Sequence, residues 1–328
     1  MQMFENQITA ENRNELEKYL QGFEYKISGL SFSSLYMWRE INAFSWQKIG
    51  DYVCIAGMSH LDLEYGIKEM FLFPPLTDNG KYEPEKLRET IYEAKRIFEE
   101  KGETFSIRLL PLHMIDIVKA ACPKEMKYIE DRPNYDYIYK RQDLVDLKGR
   151  EYHSKKNHLN YFHNNFEYKY VKLTSEMAEE ALAFVSEFNS RKEIPEHEMA
   201  LLKLEEEAMH DVFKNIEKLG YLAGAILIDD KIEAISIGGQ LNKNTITVHV
   251  EKANTNFRGI YQAINNEFCK NIPANVKFIN REEDMGIPNL RKAKLSYKPV
   301  KLLEKHIALF KSELFCVRPE QGQNQQTA

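Results

Sequence analysis

Apolar and polar residues alternate along the chain in a pattern that predicts two similar series of helices and strands. Short apolar segments predict strands, and longer segments with apolar residues at every third or fourth position predict amphipathic helices. In the second half, two helices precede three closely spaced strands at residues 221–228, 232–241 and 245–251. A helix, a strand at 276–280, a short helix and a last strand at 300–309 follow. The first half shows a shortened version of the same order, without a residue-level repeat.

This order predicts an α+β protein, of mixed α/β character, with two domains that each have a central, mostly antiparallel sheet flanked by helices. The N-terminal domain is expected to cover residues 1–142, with a strand at 135–139 as its last element. The C-terminal domain is expected to cover residues 143–312 and to carry the functional site. Residues 313–328 end in a polar segment and are expected to form a disordered tail.

Length and charge narrow the range of functions. The chain has 328 residues, which suits two domains, and its 45 Lys and Arg residues against 50 Asp and Glu residues give a net charge of -5. Proteins that bind nucleic acid over their whole surface are usually basic, so any RNA contact must use a local patch, and we expect no DNA partner. No segment approaches the ~18 apolar residues of a membrane span, and the N-terminus lacks the apolar region of a signal peptide. We therefore expect a cytoplasmic protein without a transmembrane segment.

A group of polar residues follows the predicted strand at 276–280. Asn280, Glu282, Glu283 and Asp284 come at its carboxyl end, next to the start of a helix, where ligands bind in open sheets. Repulsion among three neighbouring carboxylates raises the pKa of at least one of them, which suits a general base that deprotonates an amine or a hydroxyl. Alternatively, the acids only cap the helix, because negative charge is favourable at a helix N-terminus.

The next segment is strongly basic. Residues 291–305 contain six Lys or Arg residues and one acid. Helical periodicity places Arg291 and Lys294, with Lys298 one turn further on, on one face, and Tyr297 on another. Such cations can hold phosphates or a carboxylate, and the alternative is a solvated helix face.

A second basic segment, which contains Lys155 and Lys156, lies at the expected junction of the two domains. Binding clefts often form at such junctions, and the alternative is a solvated linker helix. The same segment contains His153, His158 and His163 at intervals of five residues. This spacing turns successive side chains by about 140° around a helix, so they cannot share one ion and we expect no metal site.

His249 and Glu251 lie two residues apart in a predicted strand, so their side chains are expected on the same face of the sheet. Ile246, Val248 and Val250 would then face a core. The strand is one helix away from the acid cluster, which makes both residues site candidates. The alternative is a strand with one exposed polar face.

Two segments resemble a known family. Residues 149–162 (GREYHSKKNHLNYF) and 280–299 (NREEDMGIPNLRKAKLSYKP) resemble the phosphatidylglycerol lysyltransferase C-terminal family, including members without a membrane part. The resemblance implies two GNAT-like acyltransferase domains in tandem, similar to Fem-type aminoacyltransferases. It also implies transfer of an amino acid from aminoacyl-tRNA to a lipid head group or a small molecule.

The resemblance also implies roles for individual residues. The acceptor or aminoacyl pocket would be lined by Asn280, Glu282, Glu283 and Asp284. Phosphate or the tRNA end would meet Arg291, Lys294 and Lys298, while Lys155 and Lys156 would face the cleft between the lobes. With the residue-based arguments, the expected catalytic residues are Glu251, Glu283 and Asp284, and His249 and Tyr297 join the substrate-binding residues.

Three functions remain open from the sequence. The first is aminoacyl transfer from aminoacyl-tRNA to an amine or hydroxyl acceptor. The second is transfer from acetyl-CoA, which needs a glycine-rich loop at a helix N-terminus to hold the pyrophosphate. Arg258 and Gly259 begin a helix with a single glycine, which matches this pattern poorly, so aminoacyl-tRNA is favoured over acetyl-CoA as donor and no cofactor is assigned. The third is a non-catalytic module that binds a small anion or an RNA end.

Overall fold

The structure is a computed structural model that describes residues 2–22, 26–62, 67–191 and 196–313. In spatial order, the strands of the first sheet are β1 (Asn6–Gln7), β2 (Ser45–Ile49), β3 (Tyr52–Asp62), β4 (Ile67–Leu72), β5 (Ser106–Pro111), β14 (Lys305–Phe310) and β6 (Met126–Glu130). Those of the second sheet are β13 (Lys301–Leu303), β7 (Asp136–Lys140), β12 (Phe278–Asn280), β11 (Thr245–Ala253), β10 (Lys231–Asn242), β9 (Leu222–Ile228) and β8 (Lys169–Lys172).

Helices cover both sheets. They are α1 (Arg13–Gly22), α2 (Phe32–Met37), α3 (Pro84–Glu100), α4 (Leu112–Ala121), α5 (Arg141–Asp146), α6 (His153–Asn165), α7 (Ala178–Ser190), α8 (Glu196–Lys214), α9 (Ile216–Leu219), α10 (Ile260–Asn271) and α11 (Pro288–Leu295). Among the described residues, no helix is long and apolar enough to cross a membrane. The tail predicted for residues 313–328 lies outside the described residues, apart from Glu313.

The same order of elements builds both sheets. In the first, α1 and α2 precede the antiparallel strands β2, β3 and β4, and then come α3, the parallel neighbour β5, and α4. In the second, α7 and α8 precede β9, β10 and β11, and then come α10, the parallel neighbour β12, and α11. This confirms the prediction of an α+β protein with two GNAT-like domains in tandem.

The two sheets exchange strands. The chain passes from β6 in the first sheet to β7 in the second, and it returns from β13 in the second sheet to β14 in the first. The prediction that a strand at 135–139 closes the first domain was therefore wrong, because β7 pairs with β12 and β13. The single strand expected at 300–309 is two strands that belong to different sheets. The domain boundary at residues 142 and 143 stays a prediction.

Two apolar cores lie on opposite faces of the second sheet. Ile235 and Ile237 of β10 belong to the core that includes α2 and α7. Ala234 and Ile226 belong to the other core, which includes α5, α6 and α10. The sheet is thus covered on both faces, so polar side chains within it must find partners inside the protein.

A β-bulge in β11 changes which face its residues point to. Ile237 of β10 lies opposite Val250, whereas Gly238 lies opposite Val248, so His249 is the extra residue. Val248 accordingly belongs to the second core and Val250 to the first. The prediction that Val248 and Val250 face one core was wrong for this reason.

Candidate active site

The candidate site lies where β11 and β12 separate. The two parallel strands pair only between Thr245–Thr247 and Phe278–Asn280. Beyond this point β11 continues to Ala253, while the chain after β12 enters the acid cluster at residues 281–284. Side chains rather than backbone hydrogen bonds bridge the gap that opens between them.

On one face of the sheet, His249 bridges this gap. Its Nδ1 atom lies 2.8 Å from Glu282 Oε1, and its Nε2 atom lies 3.0 Å from the hydroxyl oxygen of Ser33 in α2. The His249 side chain has no exposed surface. Ser33 comes from the first half of the chain and was not predicted, because a serine in the run Ser31 to Ser34 resembles an ordinary helix start.

On the other face, Arg281 bridges the gap to Glu251. Its Nη2 atom lies 3.1 Å from Glu251 Oε2, which also accepts a hydrogen bond from Asn265 of α10. The predicted common face for His249 and Glu251 was therefore wrong, because the bulge at His249 shifts the alternation by one residue. Both oxygens of Glu251 are engaged by Arg281.

Asp136 and Lys305 form a buried ion pair where the strands are exchanged. Lys305 Nζ lies 2.6 Å from Asp136 Oδ1, and both side chains are at most 1% exposed. Asp136 also accepts hydrogen bonds from the Asn280 side chain and from the backbone and hydroxyl of Ser28. Burial alone would lower the pKa of Lys305, but attraction to Asp136 and Glu283 raises it, so Lys305 keeps its positive charge in this site.

Glu283 lies at the edge of this buried pair. Its Oε2 atom is 3.4 Å from Lys305 Nζ, and 27% of its side chain is exposed. Burial and the neighbouring charges of Glu282 and Asp136 raise the pKa of Glu283, against the opposing effect of Lys305 and Lys294. The predicted increase in pKa within the acid cluster thus falls on Glu283.

Asp284 is fully buried, and its oxygens are all engaged. They accept hydrogen bonds from Arg132, Tyr137 and Arg291 and from the backbone N–H of Gly286. Burial by itself would raise the pKa of Asp284, but these donors lower it below its usual range. Asp284 does not cap α11, whose N-cap is Ile287; it closes the preceding turn instead.

The predicted stripe of cations after Asp284 divides into two groups. Arg291 pairs with Asp284, Lys305 with Asp136, and Lys294 donates hydrogen bonds to the backbone oxygens of Arg281 and Glu283. Burial lowers the pKa of Lys294. The remaining cations are exposed: Lys292, Lys298 and Lys301.

The two basic segments meet at Tyr297, which is buried. Tyr152 donates a hydrogen bond to the Tyr297 backbone oxygen over 3.2 Å, and Lys155 Nζ lies 4.5 Å from the centre of its ring. Burial lowers the pKa of Lys155, and the charge of nearby Arg281 adds to this effect. Lys156, next in α6, is exposed, as is Lys298. The two segments therefore touch at Tyr297, and each has an exposed cation next to a residue that makes this contact.

Gly259 serves packing between helices. It precedes α10 with a φ of +94°, and a Cβ atom there would overlap the backbone oxygen of His158 in α6. Only glycine allows this approach. The glycine considered for coenzyme A therefore has a structural reason in this protein, and α6 lies against the N-terminus of α10.

Other parts of the described structure add little to the site. Two cavities, of about 260 and 280 Å³, lie in the first half of the chain, one beside Arg39 and Phe44 and one beside Tyr82 and Leu87. Among the described residues, no cluster of three or more histidine, cysteine or carboxylate side chains could hold a metal ion.

Comparison with known proteins gives the family. The model for the family described as "Phosphatidylglycerol lysyltransferase, C-terminal" matches residues 21–309. The chain belongs to this family. A conserved protein of unknown function from Bacteroides thetaiotaomicron is 31% identical, and the match covers 95% of this chain and 100% of that one with a TM-score of 0.80.

Structures with lower sequence identity to this chain share its fold. The C-terminal domain of an Agrobacterium fabrum protein described as a lysylphosphatidylglycerol synthetase is 9% identical, with 90% and 91% of the two chains covered and a TM-score of 0.57. L-PGS from Bacillus licheniformis is 12% identical, with 85% and 91% covered and a TM-score of 0.53.

One curated relative matches over part of its length. An uncharacterised protein of Mycoplasmoides gallisepticum is 25% identical over 177 residues, which are 52% of this chain and 55% of that protein. The match thus spans about half of the curated relative. Family and fold together support an acyltransferase of the phosphatidylglycerol lysyltransferase type.

Proposed function

We propose that this protein transfers an aminoacyl group from aminoacyl-tRNA to an amine or hydroxyl acceptor, at the gap between β11 and β12. The observation that carries the proposal is Glu283, a partly exposed carboxylate with a raised pKa at the carboxyl end of a central strand. A carboxylate in that state is suited to take a proton from an acceptor near neutral pH. Lys305, held by Asp136, keeps it in place.

The other two carboxylates expected to be catalytic have different tasks in this proposal. Asp284 holds Arg132 and Arg291, and Glu251 holds Arg281. Their oxygens are already engaged by these donors, so neither is available to an acceptor. We therefore assign Asp284 and Glu251 to positioning the segment that carries Glu283.

The exposed cations around Tyr297 are the proposed contact for the tRNA end. Lys156, next to Lys155, and Lys298, next to Tyr297, are exposed, while the protein as a whole is acidic. Phosphate contacts of Lys and Arg supply affinity that falls with increasing salt concentration. Relatives described as lysylphosphatidylglycerol synthetase or L-PGS support an aminoacyl donor and a lipid head group as one acceptor class.

A transfer assay tests this function. The purified protein is incubated with radiolabelled aminoacyl-tRNA and fractionated cell extract, and we expect label in a lipid or small-molecule fraction. Glu283→Gln should reduce the rate by about 100-fold or more, since a general base contributes that much. The control is Glu89→Gln on the exposed face of α3, which should match the unmodified protein.

Three results would speak against parts of the proposal. Label that stays on the tRNA with every fraction argues against aminoacyl transfer. Transfer from radiolabelled acetyl-CoA instead would identify coenzyme A as the carrier, contrary to the packing of Gly259 against α6. A Glu283→Gln variant with the unmodified rate would remove Glu283 from the mechanism.

A further inference from the structure

Ser33, His249 and Glu282 form a chain of three side chains that the function proposed above does not use. The Ser33 hydroxyl oxygen lies 3.0 Å from His249 Nε2, and His249 Nδ1 lies 2.8 Å from Glu282 Oε1. An ionised carboxylate only accepts hydrogen bonds, so the Nδ1–H group donates to Glu282. In the neutral imidazole, Nε2 is then the acceptor for the Ser33 hydroxyl. A serine activated in this order is a nucleophile.

Three local features of the fold build this arrangement. The β-bulge in β11 turns His249 toward α2. Gly239 of β10 leaves room for Ser33, because a Cβ atom at this position would overlap the serine hydroxyl. Glu282 has a φ of +55°, a conformation that is uncommon for a residue with a side chain and that the surrounding structure must hold in place.

A neighbouring polar atom lacks a partner. The Thr247 hydroxyl is buried and has no hydrogen-bond partner among the described residues. Thr247 pairs with Gly239 and alternates with Ile246 and Val248, which face the second core, so it projects from the face that carries Ser33. Buried polar groups are normally hydrogen-bonded, so an unsatisfied hydroxyl here is consistent with a polar group of a substrate that completes the site.

We propose that Ser33 is a catalytic nucleophile that carries the acyl group as a serine ester between donor and acceptor. Ser33 gives its proton to His249 Nε2 and attacks the carbonyl carbon of the donor ester. The bond from that carbon to the donor alcohol breaks, and His249 returns the proton to the alcohol, which leaves. Glu282 is the positioning residue that fixes the orientation of His249.

The second half of the reaction regenerates the serine. The acceptor attacks the acyl-serine carbonyl while Glu283 takes its proton and relays it to His249, and His249 gives that proton to the Ser33 oxygen as the ester bond breaks. An ammonium acceptor first loses its extra proton to solvent. In the net reaction, an acyl ester and an acceptor give an acylated acceptor and an alcohol. The serine ester is an intermediate of that reaction, so this proposal rests on the acyl transfer proposed above.

Covalent labelling tests Ser33 directly. The protein is treated with a small alkyl fluorophosphonate and, separately, with p-nitrophenyl acetate, and the modified residue is identified by peptide mass spectrometry. A small probe is needed because only 8% of Ser33 is exposed. We expect one adduct, on Ser33, which Ser33→Ala abolishes. The matched control is Ser34→Ala in the same buried helix, which should label at the unmodified rate.

Variants of the other two residues separate activation from packing. His249→Gln should slow labelling about 100-fold or more, as expected when a general base is lost. Glu282→Gln should change the pH dependence of labelling, and Glu282→Asp should restore part of the rate. A serine that only fastens α2 to β10 would lower the melting temperature on substitution without any adduct in the unmodified protein.

The outcomes distinguish this proposal from the one on which it rests. An unmodified protein without an adduct on Ser33, or one in which Ser34 is labelled as fast, overturns the nucleophile. Aminoacyl transfer at the full rate by Ser33→Ala overturns the serine ester and leaves the transfer function standing. An adduct on Ser33 together with no transfer from aminoacyl-tRNA keeps the nucleophile and refutes that donor.

Discussion

Replacement of Lys305 by Met should destabilise the protein strongly. The ammonium group is 1% exposed and is the cation closest to Asp136, at 2.6 Å. After the substitution Asp136 keeps hydrogen bonds from Ser28 and Asn280 but loses its counter-ion while its side chain stays buried. Removal of one partner of a buried ion pair typically costs about 3–5 kcal/mol, because the other charge remains buried.

Urea unfolding followed by circular dichroism measures this loss. A cost of about 3–5 kcal/mol lowers the melting temperature by at least about 5 °C in a protein of this size. Lys301→Met is the matched control, because Lys301 is exposed and precedes the same strand exchange. Its effect should stay within about 0.5 kcal/mol.

A double variant separates the charge from the shape of the side chain. Asp136→Asn combined with Lys305→Met leaves no unpaired charge at this position and should recover a large part of the loss, since neutral replacements of buried pairs are often tolerated. A loss below about 1 kcal/mol for Lys305→Met would refute the reasoning. A double variant whose loss of unfolding free energy equals the sum of the losses of the two single variants would refute it as well.

Three shorter predictions concern Glu283, Asp284 and Gly239. The folded state raises the pKa of Glu283, so the ionised carboxylate lowers the stability of the protein at pH values above the pKa that Glu283 has in the unfolded chain. Glu283→Gln should therefore raise the melting temperature near neutral pH, while it reduces the rate of transfer. The folded state lowers the pKa of Asp284, so its contribution is present above its unfolded pKa of about 3.9 and is lost as the pH falls. Asp284→Asn should therefore be clearly less stable than the unmodified protein in urea near neutral pH and differ less from it in acid. Gly239→Ala should displace Ser33 and cost about 1–3 kcal/mol in urea unfolding, with loss of the fluorophosphonate adduct.

The order of elements and the place of the acid cluster were predictable from the sequence. Apolar alternation marks strands whatever their partners are, and β12 is followed directly by Asn280 and residues 281–284. The increase in pKa at Glu283 also follows from local crowding and burial. These features depend on neighbours in the chain, which sequence patterns describe well.

The partners of the site residues depend on distant parts of the chain. Nothing near Lys305 indicates that it meets Asp136, because the contact exists only through the exchange of β7 and β14 between the sheets. Residues 291–305 contain the six cations that were counted, but three of them, Arg291, Lys294 and Lys305, make contacts inside the protein. Charge counts therefore gave the composition of the segment and not the charge of its surface.

The bulge at His249 could have been predicted from glycines in the neighbouring strand, although the alternation of apolar residues in β11 gives no sign of it. Strict alternation assumes a constant phase along a strand, and one extra residue reverses the faces of everything after it. The pair Gly238 and Gly239 in the neighbouring strand was visible in the sequence, and glycine inside a strand often marks a bulge or the close approach of another element. Here the two glycines mark both features, since Gly238 lies opposite the bulge and Gly239 leaves room for the close approach of Ser33.

The strand exchange and the bulge together explain why the candidate site draws on both halves of the chain. Exchange of β7 and β14 holds the two sheets side by side, so that α2 of the first half packs on β10 of the second. The bulge then turns His249 toward α2, where Ser33 is the side chain it meets. A separate C-terminal half would lack Ser33, Asp136 and the first sheet's contacts with Lys305. If the serine carries the acyl group, both halves must be present for a single turnover.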